Sequence, residues 1–362
     1  MSKNKGPLSG IKVIDLAAYI AGPYAATLLA DQGAEVLKIE PPEGDNLRHY
    51  PSTLAQESRA FLGINRSKTG RVLNLKNPAE QQQLYALLND CDVLIHNFRA
   101  GVAERLGIGY ESLAARFPRL LYCVLSGYGS QGPLAGRAGY DQVLQSFSGL
   151  AHEQNQAAPQ LLYGSVVDTM AGTLLAGAIS SALYERERSG QGQKVEVSLL
   201  SAALSMQSAR LIKTPNEPRD IARDMRSGGI TGIHPCLEGH LYLSANTAHF
   251  WQALCELCGL TEWLVERYDT VRKRATHADE LLPKLRQVLA QKSALAWEAL
   301  LSERVPCSAV RPLADVFEHP QCTPHLHTFT HPKAGVYVGF AHAASFSRSG
   351  APLPFSAPLL RS

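Results

Sequence analysis

Asp168 is the residue of this chain placed best for chemistry. It follows Gly164-Ser165-Val166-Val167 and opens the small-residue stretch Thr169-Met170-Ala171-Gly172-Thr173-Leu174-Leu175-Ala176-Gly177-Ala178, so a carboxylate stands at an expected helix start. Two roles fit it. As an N-cap it would accept hydrogen bonds from the free N–H groups of the first turn and meet the positive end of the helix dipole. As a nucleophile it would use the same surroundings to stay ionised and attack an activated acyl group. Spacing alone favours the cap.

Basic residues recur in what read as the loops that follow strands: Lys38, Arg48, Arg66, Lys68, Arg71, Lys76, Arg99 and Arg105. Gathered on one rim they would suit a phosphorylated ligand, because ammonium and guanidinium groups give charge-assisted hydrogen bonds to phosphate oxygens. Taken singly, each is ordinary solvated surface. The run Asn65-Arg66-Ser67-Lys68-Thr69-Gly70-Arg71 packs three of them into an expected turn before a strand. Other chemistries find less support. Gly22-Pro23 opens a helix after the first strand without a Gly-x-Gly-x-x-Gly run, so a nicotinamide or flavin cofactor is not expected. Cys255 and Cys258 have a zinc-like interval but no second pair, and prolines interrupt Cys322, His325, His327 and His331, so no metal is expected. A Gly-x-Ser-x-Gly elbow is missing, which argues against a serine hydrolase.

The elements that must position these groups follow from periodicity. Ile11 to Leu16 reads as a strand, Gly22 to Ala30 as a helix and Glu35 to Ile39 as a second strand. The pattern repeats with a strand Val72 to Leu75, a helix Pro78 to Leu88, and strands Val93 to His96 and Leu120 to Leu125. Alternation of this kind implies a parallel sheet covered on both faces, with ligands at the carboxyl ends of its strands. Beyond the Asp168 helix come a strand Lys194 to Ser198 and a helix Leu199 to Ser208. Pro- and Gly-rich segments then lead into a smaller α+β region ending near Pro306.

At 362 residues, 45% hydrophobic and 19% charged, the chain is long enough for two ordinary domains. A formal net charge of +3 without a Lys/Arg block gives no reason to expect nucleic acid as a partner. Seven scattered cysteines point to free thiols in a reducing compartment, so a cytoplasmic protein is expected. No membrane association is expected: the N-terminus lacks an apolar signal core, and Met170 to Leu183 is shorter than the roughly 18 apolar residues of a span.

Read together, these residues resemble the family III CoA-transferases, which include formyl-CoA transferase and carnitine CoA-transferase and are related to α-methylacyl-CoA racemase. The likeness runs through nearly the whole chain: Leu8 to Leu16, Ala21-Gly22-Pro23, Gly33 to Glu40, Asn97 to Gly101, Glu104 to Gly107, Ser126-Gly127-Tyr128-Gly129, and Arg186 to Gln193. It implies that Asp168 is the catalytic nucleophile rather than a cap. It implies CoA contacts at Tyr19, Lys38, Lys68, Asn97, Phe98, Arg105 and Leu106, to which charge adds Arg71 and Arg99. A shielding glycine-rich loop of the family would fall on Gly228 and Gly229 in shortened form, and Tyr140 and Asp141 stand beside the site as secondary candidates.

The implied fold is α/β: a large Rossmann-like domain (1–210) that binds CoA, a linker (211–227), a small α+β domain (228–305), a second linker (306–330) and a return to the large domain (331–362). Two such chains would interlock as rings in a homodimer. Family members usually continue past the match to Pro358-Leu359-Leu360-Arg361 into a further helix, so a shortened return is expected.

The implied activity is transfer of CoA from an acyl-CoA to a small carboxylic acid through an acyl-aspartyl anhydride and an aspartyl-CoA thioester. CoA is then a substrate, and no tightly bound cofactor is expected. Backbone N–H groups at the helix start would stabilise the oxyanions. Two alternatives stay open. One is a racemase or epimerase, for which Tyr140, where the racemases carry histidine, is a poor α-proton acid/base with an ordinary pKa near ~10. The other is a silent CoA-binding subunit of a hetero-oligomer. On the bland reading Tyr140 is a turn residue packing on the core and Asp141 caps the helix that follows it.

Overall fold

A computed structural model describes residues 5–54, 56–155, 157–216 and 229–360. The chain divides into two compact units, Met1–Ile212 with Gln321–Ser362, and Lys213–Pro320.

In the first unit strands and helices alternate: β1 (Lys12–Asp15), α1 (Ala21–Asp31), β2 (Glu35–Glu40), α2 (Arg59–Ile64), β3 (Lys68–Val72), α3 (Pro78–Leu88), β4 (Val93–His96), α4 (Val102–Arg105), α5 (Tyr110–Arg116), β5 (Leu121–Ser126), α6 (Asp141–Phe147), α7 (Leu150–Gln154), α8 (Val166–Ser189), β6 (Lys194–Ser198) and α9 (Leu199–Ser205). The six strands form one parallel sheet in the order β3-β2-β1-β4-β5-β6. Strand order therefore reverses between β1 and β4, and the loops leaving these two strands diverge to open a crevice at their carboxyl ends.

Period-two alternation along the buried strands supplies two cores. Val13, Val93, Ile95, Leu121 and Cys123 meet α1 and α8 on one face, while Ile14, Leu94 and Tyr122 meet Leu84, Leu88 and Leu113 of α3 and α5 on the other. The fully buried leucines among them each contribute about 1.5–3 kcal/mol over an exposed one. Helix α8 lies close along α1 because Gly172 has no side chain: a Cβ there would stand 2.7 Å from the carbonyl oxygen of Ala21.

Helix α8 is longer than the apolar stretch alone suggests. At 24 residues, with a mean hydropathy of 1.5 over an 18-residue stretch, it could cross a membrane by length and composition. Its buried stripe, Val167, Ala171, Leu175, Ile179 and Leu183, belongs to the sheet core, while Thr173, Gly177, Ser181 and Tyr184 on the opposite side are exposed. Such one-sided burial marks a core helix of a folded domain.

One strand differs from expectation. β3 runs over Lys68–Val72, not Val72 to Leu75, because the turn is made by Ser67 at φ 61° and the chain is paired to β2 from Lys68 onward. A charged edge strand carries no apolar alternation, so its sequence reads as a turn. The C-terminal segment fastens beside this strand: the Ser67 N–H donates to Phe355 O at 2.8 Å, Arg66 Nε to Ala341 O at 3.1 Å, and Arg48 Nη2 to Pro358 O at 2.9 Å. It also holds an antiparallel hairpin over Leu326–His331 and Gly335–Phe340.

The second unit contains an antiparallel three-stranded sheet, β7 (Gly232–Pro235), β8 (His240–Leu243) and β9 (Cys307–Ala309), with helices α10 (Ala248–Leu257), α12 (Ala278–Leu289) and α13 (Ala294–Leu301). Short α11 (Val271–Thr276) lies between α10 and α12. Leu241 and Leu243 share a core with Trp251, Leu254, Leu285 and Trp297. Pairing of β9 with β8 carries this sheet past Pro306, where the sequence reading ends the small region.

Candidate active site

A cavity of ≈ 570 Å³ lies at the carboxyl ends of β1, β4 and β5. Asp168, Tyr19, Asn97, Phe98, Arg99, Tyr140 and Asp141 all line it, together with Tyr50, His96, Ser126, Arg137 and Glu196. The close approach of Gly127 to Gly139 shapes its wall, since a Cβ on Gly127 would come within 2.7 Å of Gly139 N.

Asp168 is the third residue of α8, not its cap. Ser165 occupies the cap position without a side-chain hydrogen bond, and capping comes from another helix. Asp141, the buried first residue of α6, accepts the N–H of Val167 at 2.7 Å and of Asp168 at 3.1 Å through Oδ2. Its Oδ1 accepts from Gln145 Nε2 at 2.5 Å. Asp141 thus caps α8 across space, while its own helix has Tyr140 as an N-cap without a side-chain bond. The expected oxyanion donors at the helix start are therefore engaged, since Thr169 N–H also bonds Ser165 O at 2.9 Å.

Two carboxylates at one helix start affect each other. Burial, and after it the Asp141 charge, pushes Asp168 up from 3.8 to about 7. The environment raises the energy of the anion, where the sequence reading expects it to be held ionised. Tyr19, Tyr50 and Tyr140 stand around this carboxylate: the Tyr19 ring meets Tyr140 edge-on at 5.9 Å and Tyr50 at 6.3 Å. Burial, then the charge of Asp168, raises the Tyr50 hydroxyl above its usual value, so it is a neutral hydrogen-bonding group here.

His96 lines the same cavity but is committed elsewhere. Its Nδ1 accepts the Phe98 N–H at 3.3 Å, which leaves Nε2–H to donate to Tyr122 Oη at 2.8 Å, and Tyr122 in turn donates to Ile108 O at 2.9 Å. Burial, with repulsion from Lys194, lowers it to about 4, so it is neutral and stacks on Phe98 at 5.2 Å. Asn97 is likewise spent on structure, accepting Ala18 N–H at 2.9 Å and donating to Ala18 O at 2.7 Å.

The basic residues separate into groups. Arg99 and Arg137 are exposed at the cavity wall. Arg105 and Leu106 line a second cavity of ≈ 380 Å³ with Lys76 and Gln81, on the other side of α4. Arg71 bonds Gln83 at 2.8 Å on the exposed side of β3. Lys38 and Lys68 depart furthest from a CoA-contacting role: both are buried and line neither cavity. Lys68 Nζ reaches Asp15 at 2.9 Å, Asn65 Oδ1 at 2.9 Å and Pro23 O at 2.7 Å, and Lys38 Nζ reaches Asp45 at 3.0 Å and Ala17 O at 2.8 Å. Both are strand residues with buried side chains, which for Lys68 the reading of residues 65–71 as a turn conceals.

Gly229 belongs to the second unit, where it turns at φ 83°; Gly228 lies outside the described residues. Among the described residues no group of three or more His, Cys, Asp or Glu side chains is gathered as a metal site. Cys255 and Cys258 sit in the apolar core of the second unit, where burial pushes both thiols up to about 12. The sequence reading missed Tyr50, His96, Arg137 and Asp45. Arg137, between the glycines of Gly136-Arg137-Ala138-Gly139, carries the one usable signal, a basic side chain on a glycine-flanked loop.

The fold and the cavity define a doubly wound α/β protein with an acidic pair at the switch point of its sheet. The chain belongs to CoA-transferase family III, whose family model matches residues 8–361, and it is an enzyme of that family. It is 34% identical over 326 residues to an acetyl-CoA:oxalate CoA-transferase of Acetobacter aceti, covering 88% of this chain and 83% of that protein. It is 31% identical over 341 residues to a succinate–glutarate CoA-transferase of Agrobacterium fabrum, covering 89% and 84%. Among solved structures, a CaiB/BaiF family protein from Brucella suis superposes with a TM-score of 0.86 at 28% identity, covering 98% of this chain and 97% of that one.

Proposed function

We propose that this enzyme moves CoA from an acyl-CoA donor to a free carboxylic acid, with Asp168 as nucleophile. The observation that carries the reading is the carboxylate of Asp168, half-buried at the start of α8 and lining the cavity at the sheet's switch point. Ionised Asp168 attacks the donor thioester carbonyl. The C–S bond breaks, leaving an acyl-aspartyl anhydride and the CoA thiolate. The thiolate then attacks the aspartyl carbonyl and expels the donor acid as a carboxylate. The acceptor carboxylate attacks the resulting aspartyl-CoA thioester, and the returning thiolate takes the acyl carbon of the second anhydride, restoring Asp168. Donor acid, acceptor acid and nucleophile are all carboxylates, so each exchange is nearly balanced and needs no ATP. An anion raised by burial and by Asp141 is also a stronger nucleophile than a solvated one.

CoA would enter with its thioester at Asp168. Phe98 and Arg99 line that cavity, and Arg105 with Lys76 at the second cavity supplies charge for the phosphates. Family membership supports an interlocked homodimer as the assembly, which light scattering of the purified chain tests.

A racemase draws support from one observation, because a carboxylate near pH 7 suits proton exchange. The second base it needs is wanting: Tyr140 replaces it, and His96 is bonded to Tyr122 and Phe98. The test is an exchange assay without ATP, offering acyl-CoA donors bearing α-deuterium and a panel of carboxylic acids, read by mass spectrometry. A new thioester with α-deuterium retained is expected; deuterium loss without acyl exchange would overturn the proposal in favour of a racemase.

A further inference from the structure

The loop between β1 and α1 carries Tyr19 into the cavity in a backbone conformation that a tyrosine rarely adopts, φ 66°. Nearly every polar backbone group around it is held. Ala17 N–H donates to Asp15 Oδ1 at 3.0 Å, Ala18 is clamped by Asn97, and Tyr19 N–H donates to Asp45 Oδ1 at 3.0 Å. From beneath, Lys38 Nζ donates to Ala17 O in the loop and Lys68 Nζ to Pro23 O in the first turn of α1, so the two ammoniums hold the backbone on either side of Tyr19. Asp15 lies between them, 2.9 Å from Lys68 and 3.8 Å from Lys38, and Asp45 completes the row at 3.0 Å from Lys38. All four side chains are at most 1% exposed.

We infer that Lys38 and Lys68, with Asp15 and Asp45, are positioning residues: they form a buried ionic scaffold that fixes Tyr19 in its left-handed conformation and sets its ring against Tyr140 beside Asp168. The inference rests on the reading of the Asp168 cavity as the reacting site. Its physical basis is the cost of the arrangement. Four charges are removed from water and are held by one another and by backbone carbonyls, a cost that surface tethering of a loop does not require. What the cost secures is direction, since an ammonium has three donors: Lys38 spends one on the loop carbonyl of Ala17 and Lys68 one on Pro23 O in the first turn of α1. For Asp15, burial is the largest influence and opposes ionisation, yet Lys38 and Lys68 more than offset it and its pKa falls. A phosphate ligand would have to displace these carboxylates, and neither lysine lines the Asp168 cavity or the Arg105 cavity.

The experiment compares wild type with Lys38→Met, Tyr19→Gly and the double variant in the intact protein, measuring CoA affinity by calorimetry and kcat by thioester exchange. Glycine tolerates the left-handed conformation without a scaffold. Lys38→Met is expected to lower kcat by roughly 10²-fold through misplacement of Tyr19, with the Kd for CoA within about threefold of wild type. Losses in the double variant should fall well short of the product of the singles, because both act through Tyr19. A CoA affinity lowered about tenfold or more by Lys38→Met, with kcat retained, would overturn the inference and make the lysine a ligand. A crystal structure of Lys38→Met provides a readout independent of transfer activity: Tyr19 leaving φ 66° and its contact with Tyr140 is expected, and Tyr19 unmoved overturns the scaffold even if the wild type proves to catalyse another reaction. Should Lys38→Met fold poorly, Asp45→Ala, which removes the acceptor of Tyr19 N–H, takes its place with the same expected kcat and structural results.

Discussion

Replacing Asp168 by Asn should abolish transfer and at the same time stabilise the protein, but only above a certain pH. In the folded chain burial and the Asp141 charge hold the carboxyl near 7, against 3.8 for an ordinary aspartate. Between these two values the folded state keeps a proton that the unfolded state has released. Stability therefore falls as pH rises from about 4 to about 7, and the full penalty persists above that window. At 1.36 kcal/mol per pH unit the gap corresponds to about 4 kcal/mol, and because water reaches a half-buried carboxylate we expect about 2 kcal/mol to be realised. Asn is nearly isosteric with the protonated acid and never ionises, so the variant escapes the penalty. Urea unfolding of wild type and Asp168→Asn at pH 4.5 and 8.5 would show it: near-equal stabilities at the lower pH, and the variant ahead by about 2 kcal/mol at the higher. A difference that does not change between the two pH values would refute the reasoning, because it would mean that no anion is being destabilised.

Other outcomes follow from the same contacts. Asp141→Asn keeps an oxygen for the Val167 and Asp168 N–H groups but removes the charge, so the pH at which transfer activity rises should move down by about 1 unit in a pH–kcat profile, burial remaining the larger influence. Arg99→Ala and Arg105→Ala should each raise the KM for acyl-CoA about tenfold with little change in kcat, and the effect should shrink at high salt, as steady-state kinetics would report. Gly172→Ala places a methyl 2.7 Å from Ala21 O and should cost about 1–3 kcal/mol of stability in denaturant unfolding, with α1 pushed from α8.

The sheet was legible because alternation of β-type and helix-type periodicity is written into strands such as Val93-Leu94-Ile95-His96 and helices such as Pro78 to Leu88. Strand order was not, since no side-chain pattern states which strand β1 lies beside, and that order creates the crevice between β1 and β4. At the site, Asp168 and Phe98 could be named from the family likeness and Arg99 from its charge, and the structure brings them to one cavity. Lys38 and Lys68 show the limit of reading charge as surface. Their shared partner Asp15 lies 23 residues from Lys38 and 53 from Lys68, and only parallel pairing of β1, β2 and β3 brings the three together. Asp141 was named as a secondary candidate, but its role as the cap of α8 was hidden for a related reason: a cap supplied across space from α6 leaves no trace at the capped helix's own start.

The proposed mechanism attaches CoA covalently to Asp168 during turnover. Incubation of the purified enzyme with an acyl-CoA, acid quench, proteolysis and mass spectrometry test it most directly. A CoA thioester on the peptide carrying Asp168, discharged by an added carboxylic acid and lacking in Asp168→Asn, is the expected result. Thioester exchange that persists in Asp168→Asn, with no adduct on that peptide in the wild type, would contradict it.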